Sequence, residues 1–349
     1  MKAFRIGLLL VPAAIFVACS DPSAGVPKAS PAPSLSSVIS SQSQAGAPSS
    51  ALPSCRLAVT WQTFNVSTRE WTLTRAGFIQ LPTGTLSEDP AGTAVASVSG
   101  QAFYDLAARK WLPVGREAIS PNGSQYAFVD RATGLHVVTI RSGTDRVLLS
   151  DGGWGVVEFG SDAIYLEKVE PFNGEGGSES GPDQYRASGL YRESLTGGTP
   201  RQLMSTSVAY LTIVGGHAWG LVLESYAPPR RLIRIDLTTG ATQTWYTAEA
   251  GIAQLAIDTS GNPVLALTTG TGVRLLEIEA KDRPRTLYEG PEYPRPQGSF
   301  AVDATGLWLS TFTGVEPLSS PPFFVGTNGR VVALPTVYPN SVSVAGGCH

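Results

Sequence analysis

The sequence predicts an all-β fold from three observations: a low charged fraction, a unit that repeats along the chain, and a lone strand at the C-terminus. Charged residues make up 15% of the chain, whereas there are 38 glycines. Abundant Gly, Thr, Val and Ser favour short strands joined by tight turns. No apolar stripe with the period of a helix continues for more than two turns. The repeat and the terminal strand then indicate which all-β architecture to expect.

The repeated unit consists of four short strands, and a period of roughly 40 to 50 residues is typical of a β-propeller. The clearest copy, REAISPNGSQYAFVDRATGLHVVTIRSGTDRVLLSD, extends from Arg116 to Asp151. Similar copies follow as far as Thr336, which makes five blades in tandem. The residues before Arg116 supply strands but no obvious innermost strand. We therefore predict six blades, with seven as the alternative, because this first part has room for one blade or nearly two.

The C-terminal stretch YPNSVSVAGGCH contains one alternating strand with no successor. Propellers commonly close their ring with strands from both termini, so we expect this strand to be the innermost of the first blade, beside CRLAVTWQTF. In the other blades a Gly turn joins these two strands. Here Cys348 and Cys55 stand where that turn is missing, and a disulfide between them would replace it in an oxidising compartment. The alternative is that both cysteines are free.

The first 18 residues have the outline of a secretory signal, with Lys2 and Arg5 ahead of an apolar run. This run is shorter than the roughly 20 residues that span a bilayer as a helix. It ends in FVAC, which resembles the bacterial lipobox, although Phe16 stands where Leu is usual. The resemblance implies that Cys19 carries a lipid anchor. The alternative is a cleaved signal that removes Cys19.

Three segments follow from this reasoning. Residues 1–18 are predicted to be a lipoprotein signal peptide, and residues 19–53 a lipidated Cys followed by a disordered tether. The tether is nearly all Ser, Ala, Pro, Gly and Gln, a composition that cannot bury enough apolar surface to fold. Residues 54–349 are predicted to form the propeller. The expected location is the bacterial cell envelope, lipid-anchored and extracytoplasmic.

The loops of a propeller divide between its two faces. Turns from first to second strands, and from third to fourth, are short in this sequence, whereas the connections on the opposite face are long. Long loops on a rigid scaffold often carry binding function. Four aromatic residues on these connections are therefore candidates for a binding face: Trp154, Phe172, Tyr226 and Tyr293. The alternative is that each packs under its own loop. The tether and the predicted disulfide belong to the face with the short turns, so the long loops of the opposite face should point away from the membrane.

The sequence contains no recognisable catalytic set. None of the three histidines has the spacing of a metal ligand or of a nucleophile's partner. Glu117 and Glu158 lie near the start of innermost strands and are candidates for the mouth of the central channel. We predict no metal site and no cofactor. A net charge of −3 without a basic patch argues against nucleic acid as a partner.

The turn SPNG followed by QYAF resembles the SPDG…AF signature of TolB-type and WD40-like blades, with Asn122 in place of Asp. Together with FVAC, the tether and the run FYDLAARKWLPVGREAISPNGSQYAF, it makes the chain similar to bacterial β-propeller lipoproteins of uncharacterised function. That similarity implies a surface for protein partners.

Two functional hypotheses follow. The first is a membrane-anchored binding or scaffold module that recognises protein or carbohydrate through its long-loop face. The alternative is a six-bladed propeller hydrolase or lactonase with a site at the channel mouth, which would need several converging Glu, Asp and Asn side chains. The sequence favours the module and leaves enzymatic activity open.

Overall fold

The computed structural model describes residues 52–62, 64–65, 70–71, 74–171, 185–206, 208–214, 217–223, 228–270, 272–291, 295–312, 322–334 and 341–349. Among the predicted sites, Cys19, Phe172, Tyr226 and Tyr293 lie outside these residues. The described part of the chain holds one α-helix, of ten residues, and no helix with the length and hydropathy of a membrane span. Strands are numbered β1 to β27 in chain order.

The strands form six consecutive antiparallel sheets, which confirms the prediction of six blades. Four blades follow the same plan, with four strands in sequence order from the channel outward. Blade 3 consists of β11 (Trp154–Phe159), β12 (Ala163–Pro171), β13 (Tyr185–Ser194) and β14 (Arg201–Met204). Blade 4 consists of β15 (Val208–Val214), β16 (His217–Val222), β17 (Arg231–Ile235) and β18 (Thr242–Thr247). Blade 5 consists of β19 (Gly251–Ile257), β20 (Pro263–Thr269), β21 (Gly272–Ala280) and β22 (Arg283–Gly290). Blade 6 consists of β23 (Arg295–Asp303), β24 (Gly306–Phe312), β25 (Phe323–Gly326) and β26 (Val331–Ala333).

Blade 1 takes its innermost strand from the other end of the chain, as the sequence predicts. Its strands, from the channel outward, are β27 (Ser341–Cys348), β1 (Cys55–Gln62), β4 (Arg75–Leu81) and β5 (Thr85–Glu88). Between β1 and β4 lies a short hairpin of β2 (Phe64–Asn65) and β3 (Glu70–Trp71).

The predicted disulfide closes the ring in blade 1. Strand β27 pairs antiparallel with β1, and the Cys55–Cys348 disulfide joins the strand ends at a Cα–Cα distance of 5.6 Å. Two backbone hydrogen bonds between Arg56 and His349 extend the ladder past Cys348. The disulfide therefore occupies the position at which other blades have a hairpin turn.

Blade 2 departs from the common plan. Its sheet has three strands, β8 (Gln125–Asp130), β9 (Gly134–Thr139) and β10 (Asp145–Leu149). The innermost position, where the sequence predicts a strand, is taken by a 3₁₀ helix, Arg116–Ala118, followed by a single β-bridge from Ile119 to Tyr126. This short helix brings Arg116 and Glu117 to the channel.

An insertion between blades 1 and 2 contains the α-helix, α1 (Pro90–Ser99), and a hairpin of β6 (Phe103–Asp105) and β7 (Lys110–Leu112). The sequence analysis did not predict this helix, because its apolar pattern is weak. Its boundary residues are nevertheless favourable: Asp89 caps the N-terminus by accepting a hydrogen bond from Ala91 N, and Pro90 is the first helical residue. Gly100 ends the helix at φ 76°.

The hydrophobic core is divided among the spaces between neighbouring blades, because alternate side chains of a strand face opposite sides of its sheet. Between blades 6 and 1, for example, Trp308 and Phe324 pack with Val342 and Val344. The outer rim adds hydrogen bonds from one blade to the next. Arg146 donates to Leu195 O at 2.7 Å, and Arg201 donates to Thr238 O at 2.9 Å.

Candidate functional site

The innermost elements of the six blades surround a central channel with a cavity at each end. We call the first the loop-face cavity, because it is lined by Thr60 of β1, Glu167 of β12 and Leu223 after β16, which precede the long connections. Its volume is about 660 Å³. The second, the clasp-face cavity, lies at the end with the short turns and the disulfide, and its volume is about 610 Å³. Both fall within the usual size range of small-ligand sites.

Each cavity has its own set of polar residues. The loop-face cavity is lined by Thr60, Gln101, Glu117, Glu167, Tyr210 and Ser343, among others. The clasp-face cavity is lined by Asp105, Ser120, Asn122, Glu158, Thr212 and Asp258, among others. The sequence analysis expected Glu117 and Glu158 together at the channel mouth. The structure places Glu117 in the wall of one cavity and Glu158 in the wall of the other.

Arg116 divides the channel, since it lines both cavities together with Phe103 and Phe300. Its Nη2 donates to Glu158 Oε2 at 3.3 Å and to Thr212 Oγ1 at 3.4 Å. The guanidinium also lies over the ring of Phe300, with its carbon 4.5 Å from the ring centroid, which is cation–π geometry. One side chain of blade 2 thus contacts blades 3, 4 and 6.

Glu158 is the most perturbed acid of the channel. Its side chain is buried, and burial raises the pKa of the carboxyl to about 8. The nearby Arg116 guanidinium lowers this pKa and the Glu117 carboxylate raises it further, but burial has the largest effect. Glu158 therefore holds its proton over most of the neutral pH range. A bulge in β11 between Val156 and Glu158 sets its place on the strand.

The carboxylate and amide side chains of the clasp-face cavity all have hydrogen-bond partners. Asp258 accepts from the backbone N–H groups of Ser260 and Asn262, both at 2.8 Å. Asp105 accepts from Ala108 N at 2.6 Å. Asn122 accepts from Ser124 N at 3.0 Å. Together with Glu158, these side chains serve the local turns or the channel wall.

The loop-face cavity shows the opposite pattern. The side chains of Gln101, Glu117 and Glu167 form no hydrogen bond with any described residue. Burial raises the pKa of the Glu167 carboxyl, as expected for an acid without a partner. Tyr210 and Leu223 line the same cavity, and each remains 43% exposed. Polar groups without partners therefore lie beside accessible apolar surface.

Tyr210 has an unusual backbone. Its φ of 54° lies in the left-handed region, which is rare for a bulky residue and marks local strain. It lies within the irregular part of β15, where the register shifts between Ala209 and Thr212. This irregularity places the Tyr210 side chain at the loop-face cavity instead of in the packed sheet.

Trp154, the one described member of the predicted aromatic face, is the first residue of β11 and is half-buried. It packs edge-on against Tyr191 with ring centroids 5.0 Å apart, beside the core between blades 2 and 3. Its role in binding stays a prediction.

Sequence reasoning missed Arg116 and Tyr210 as site residues. Arg116 begins the clearest repeat and directly precedes Glu117, a candidate for the channel mouth. This position could have identified Arg116 as a channel residue. Nothing in the sequence marks Tyr210. Among the described residues, no group of three or more His, Cys, Asp or Glu side chains is arranged to hold a metal ion.

No protein-family profile and no curated protein matches the chain. Among solved structures, it is similar to an acylaminoacyl peptidase from Pyrococcus horikoshii, with 12% identity and a TM-score of 0.42, over 81% of this chain and 51% of that one. An oligogalacturonate lyase in complex with manganese matches with 13% identity and a TM-score of 0.41, over 63% and 64% of the two chains. A candidate gluconolactonase matches with 14% identity and a TM-score of 0.39, over 65% and 84%. This chain spans about half the length of the peptidase. The similarities carry no functional assignment.

Proposed function

We propose that this chain is a binding module of the bacterial cell envelope, anchored through a lipid on Cys19, with its ligand site in the loop-face cavity. One observation carries the assignment of the cavity. Its carboxylate and amide side chains have no partner among the described residues, whereas the corresponding side chains of the clasp-face cavity are hydrogen-bonded. Glu117 and Glu167 are half-buried and Gln101 is exposed, so the polar atoms of all three can be reached by a ligand in the cavity. Groups without partners beside accessible apolar surface indicate where a ligand supplies them.

The strain at Tyr210 supports the same cavity. A non-glycine residue in the left-handed region costs on the order of 1–3 kcal/mol, so the fold keeps Tyr210 there against an intrinsic preference. Its ring and the Leu223 side chain are accessible at the cavity. Aromatic rings of this kind stack on sugars or pack against apolar groups of a protein. The partner is accordingly a protein segment or a carbohydrate that enters the loop face.

The anchor and the location derive from the N-terminal sequence. The lipobox-like FVAC and the Ser/Ala/Pro tether support lipidation at Cys19 and a propeller held outside the cytoplasmic membrane. Mass spectrometry of the mature protein tests this part on its own. A diacylglyceryl mass on an N-terminal Cys19 is expected, and a mature chain that begins after Cys19 would rule out the anchor.

The binding role is tested by crosslinking and affinity capture from the native membrane. Tyr210→Asn is the informative variant, because Asn tolerates left-handed backbone and lacks the ring. Val302→Ala is a matched control, since Val302 is an exposed apolar residue at the clasp-face cavity. We expect captured partners to be lost with Tyr210→Asn and retained with Val302→Ala. Identical capture by both variants would exclude the loop-face cavity as the site.

A hydrolase or lactonase is the second candidate, favoured by Glu158. A buried carboxyl that keeps its proton near neutral pH, at a channel between two cavities, is suited to act as a general acid. Thr212 and Arg116 lie within hydrogen-bond distance of one another beside it. Hydrolysis of a chromogenic lactone by the purified protein, abolished by Glu158→Gln, would support this alternative. Equal rates for the wild type and Glu158→Gln would reject it.

A further inference from the structure

Arg116 uses only a small part of its hydrogen-bonding capacity. A guanidinium carries five N–H donors on three nitrogens. Among the described residues only Nη2 has hydrogen-bond acceptors, at 3.3 and 3.4 Å, which are long for such bonds. Neither Nε nor Nη1 donates to any described residue. The Arg116 side chain is 29% exposed and lines the loop-face cavity, so these donors are available to a ligand.

In the part of the chain that the structure describes, Arg116 has one ion-pair partner, the Glu158 carboxyl at 3.3 Å. Below about pH 8 its partner Glu158 is mostly protonated, so the contact joins a cation to a neutral acid. Glu117, the other acid nearby, forms no ion pair with Arg116. A guanidinium stays charged at every physiological pH. A partly buried cation of this kind is stabilised when an anion reaches it.

The surroundings of Arg116 in the loop-face cavity are mainly apolar. Phe300 lies under the guanidinium, and Phe103, Leu211, Leu255 and Val344 complete the nearby wall. A planar guanidinium matches the geometry of a carboxylate and can bind it through two parallel hydrogen bonds. Apolar walls around such a group would take the hydrocarbon part of the same ligand.

We infer that the protein segment that enters the loop-face cavity presents an apolar group together with a carboxylate, and that Arg116 binds the carboxylate through its unused donors. This inference rests on the proposed function, because it names the ligand class of that site. The competing ligand class is an amine held by Glu117 and Glu167, which line the same cavity. The two classes differ in the charge of the head group, which is negative in a carboxylate and positive in an amine.

Calorimetric titration of the full-length protein with three matched probes distinguishes them: 4-phenylbutyrate, 4-phenylbutanamide and 4-phenylbutylamine. Because hydrogen bonds to charged groups are stronger than neutral ones, the acid should bind about tenfold more tightly than the amide. Arg116→Gln should remove most of this difference, because Gln keeps a hydrogen-bond donor for either head group but lacks the positive charge that favours the acid. Arg201→Gln is the matched control, since Arg201 lies at the outer rim and bonds to Thr238 O.

Each other outcome has a definite meaning. Equal binding of acid and amide overturns the carboxylate anchor, and tightest binding of the amine replaces it with an amine site at Glu117 and Glu167. Failure of all three probes to bind also overturns the inference, because the cavity of about 660 Å³ has room for each of them. The proposed function is decided separately, by the effect of Tyr210→Asn on partner capture.

Arg116→Gln could weaken the fold, because Arg116 contacts three other blades, so a second test keeps the arginine. Above about pH 8 Glu158 ionises, competes for Arg116 and repels the probe, so the acid should bind more weakly there while the amide does not change. The groups that face Glu158 are Arg116, Glu117 and Thr212. Glu158→Gln should abolish the pH dependence. If the wild type bound the acid equally well at pH 7 and at pH 9, the carboxylate would not lie beside Arg116 and Glu158, and the inference would be overturned.

Discussion

The clasp-face and loop-face cavities lie at opposite ends of the same channel, and they use their polar side chains differently. At the clasp face, Asp105, Asn122 and Asp258 accept hydrogen bonds from nearby backbone N–H groups. At the loop face, Glu117 and Glu167 have no such partners among the described residues. Exposed apolar residues occur at both ends. The two faces therefore differ in whether their polar side chains are hydrogen-bonded within the protein, and not in how much apolar surface they expose. The hydrogen-bonded face maintains the fold, and the other is available to a ligand.

The cause lies in the connections between strands. A tight turn leaves backbone N–H groups without partners, and Asp or Asn side chains satisfy them. Such turns gather at the clasp face, for example from Asp258 to Asn262 in blade 5. The inner strands begin at the opposite end, where the connections are longer and the strand side chains face the cavity. A propeller therefore has one face occupied by turn stabilisation and another available for function.

The largest effect should come from breaking the Cys55–Cys348 disulfide at the clasp face. The chain-entropy relation for a loop of this length gives roughly 5 to 6 kcal/mol for the Cys55–Cys348 disulfide, as an upper value. Reduction should lower the melting temperature, and so should Cys55→Ser and Cys348→Ser individually. Thermal unfolding with and without reductant measures the effect. Equal melting temperatures would show that the strand pairing alone closes the ring.

The next effect concerns Glu158, at the junction of the two cavities. Its folded-state pKa of about 8 exceeds the ordinary value of 4.5, so the folded protein keeps a proton that the unfolded chain releases. The free energy of unfolding should therefore fall by no more than about 5 kcal/mol as the pH rises from about 4.5 to about 8. Above about pH 8 it should stay level.

Glu158→Gln removes this titration and should be more stable than the wild type at pH 8, with no advantage at pH 4. Chemical denaturation at a series of pH values measures both proteins. A wild-type profile parallel to that of Glu158→Gln would mean that Arg116 keeps Glu158 ionised.

A smaller effect compares two aspartates at the clasp-face ends of innermost strands: Asp258 directly follows β19, and Asp303 is the last residue of β23. Asp258 serves only its own blade, whereas Asp303 accepts from Trp308 Nε1 at 2.8 Å and from Cys348 N at 2.6 Å. Asp303 thus links blade 6 to the end of blade 1. Asp303→Ala should cost about 2–3 kcal/mol, because it leaves buried donors without partners, and Asp258→Ala should cost about 1 kcal/mol. Denaturant titration of both variants tests the order, and a reversed order would remove Asp303 from the closure.

The sequence predicted the fold well because its signals repeat. Each Gly turn and each pair of apolar strands gave an independent indication of a blade, and the unpaired strand before Cys348 implied both the closure and the disulfide. Blade 2 shows the limit. Its innermost position is a 3₁₀ helix followed by a single bridge at Ile119, and an insertion with its own helix precedes it. The blade that departs from the plan is the one with the clearest turn motif, so a turn motif does not show whether the residues before it form a strand.

The candidate site was harder to predict because it depends on contacts across the ring. Glu117 and Glu158 were found as acids at the channel, yet their separation into two cavities depends on the position of Arg116. The contacts of Arg116 with Thr212 and Phe300 join residues from three blades. The strain at Tyr210 depends on a register shift in β15 that no residue type in the sequence predicts. Single-residue chemistry was readable from the sequence, whereas the arrangement between blades was not.

The smallest effect on stability should come from Tyr210, at the loop face. Tyr210→Asn loses the contacts of a half-exposed ring but relieves left-handed strain, so we expect a change within about 1 kcal/mol. Tyr210→Phe keeps the ring and the strain, and it should retain partner capture. Denaturation and capture are measured on the same samples. If Tyr210→Asn were destabilised as strongly as Asp303→Ala, Tyr210 would serve the fold, and the contrast between the two faces would no longer hold at this residue.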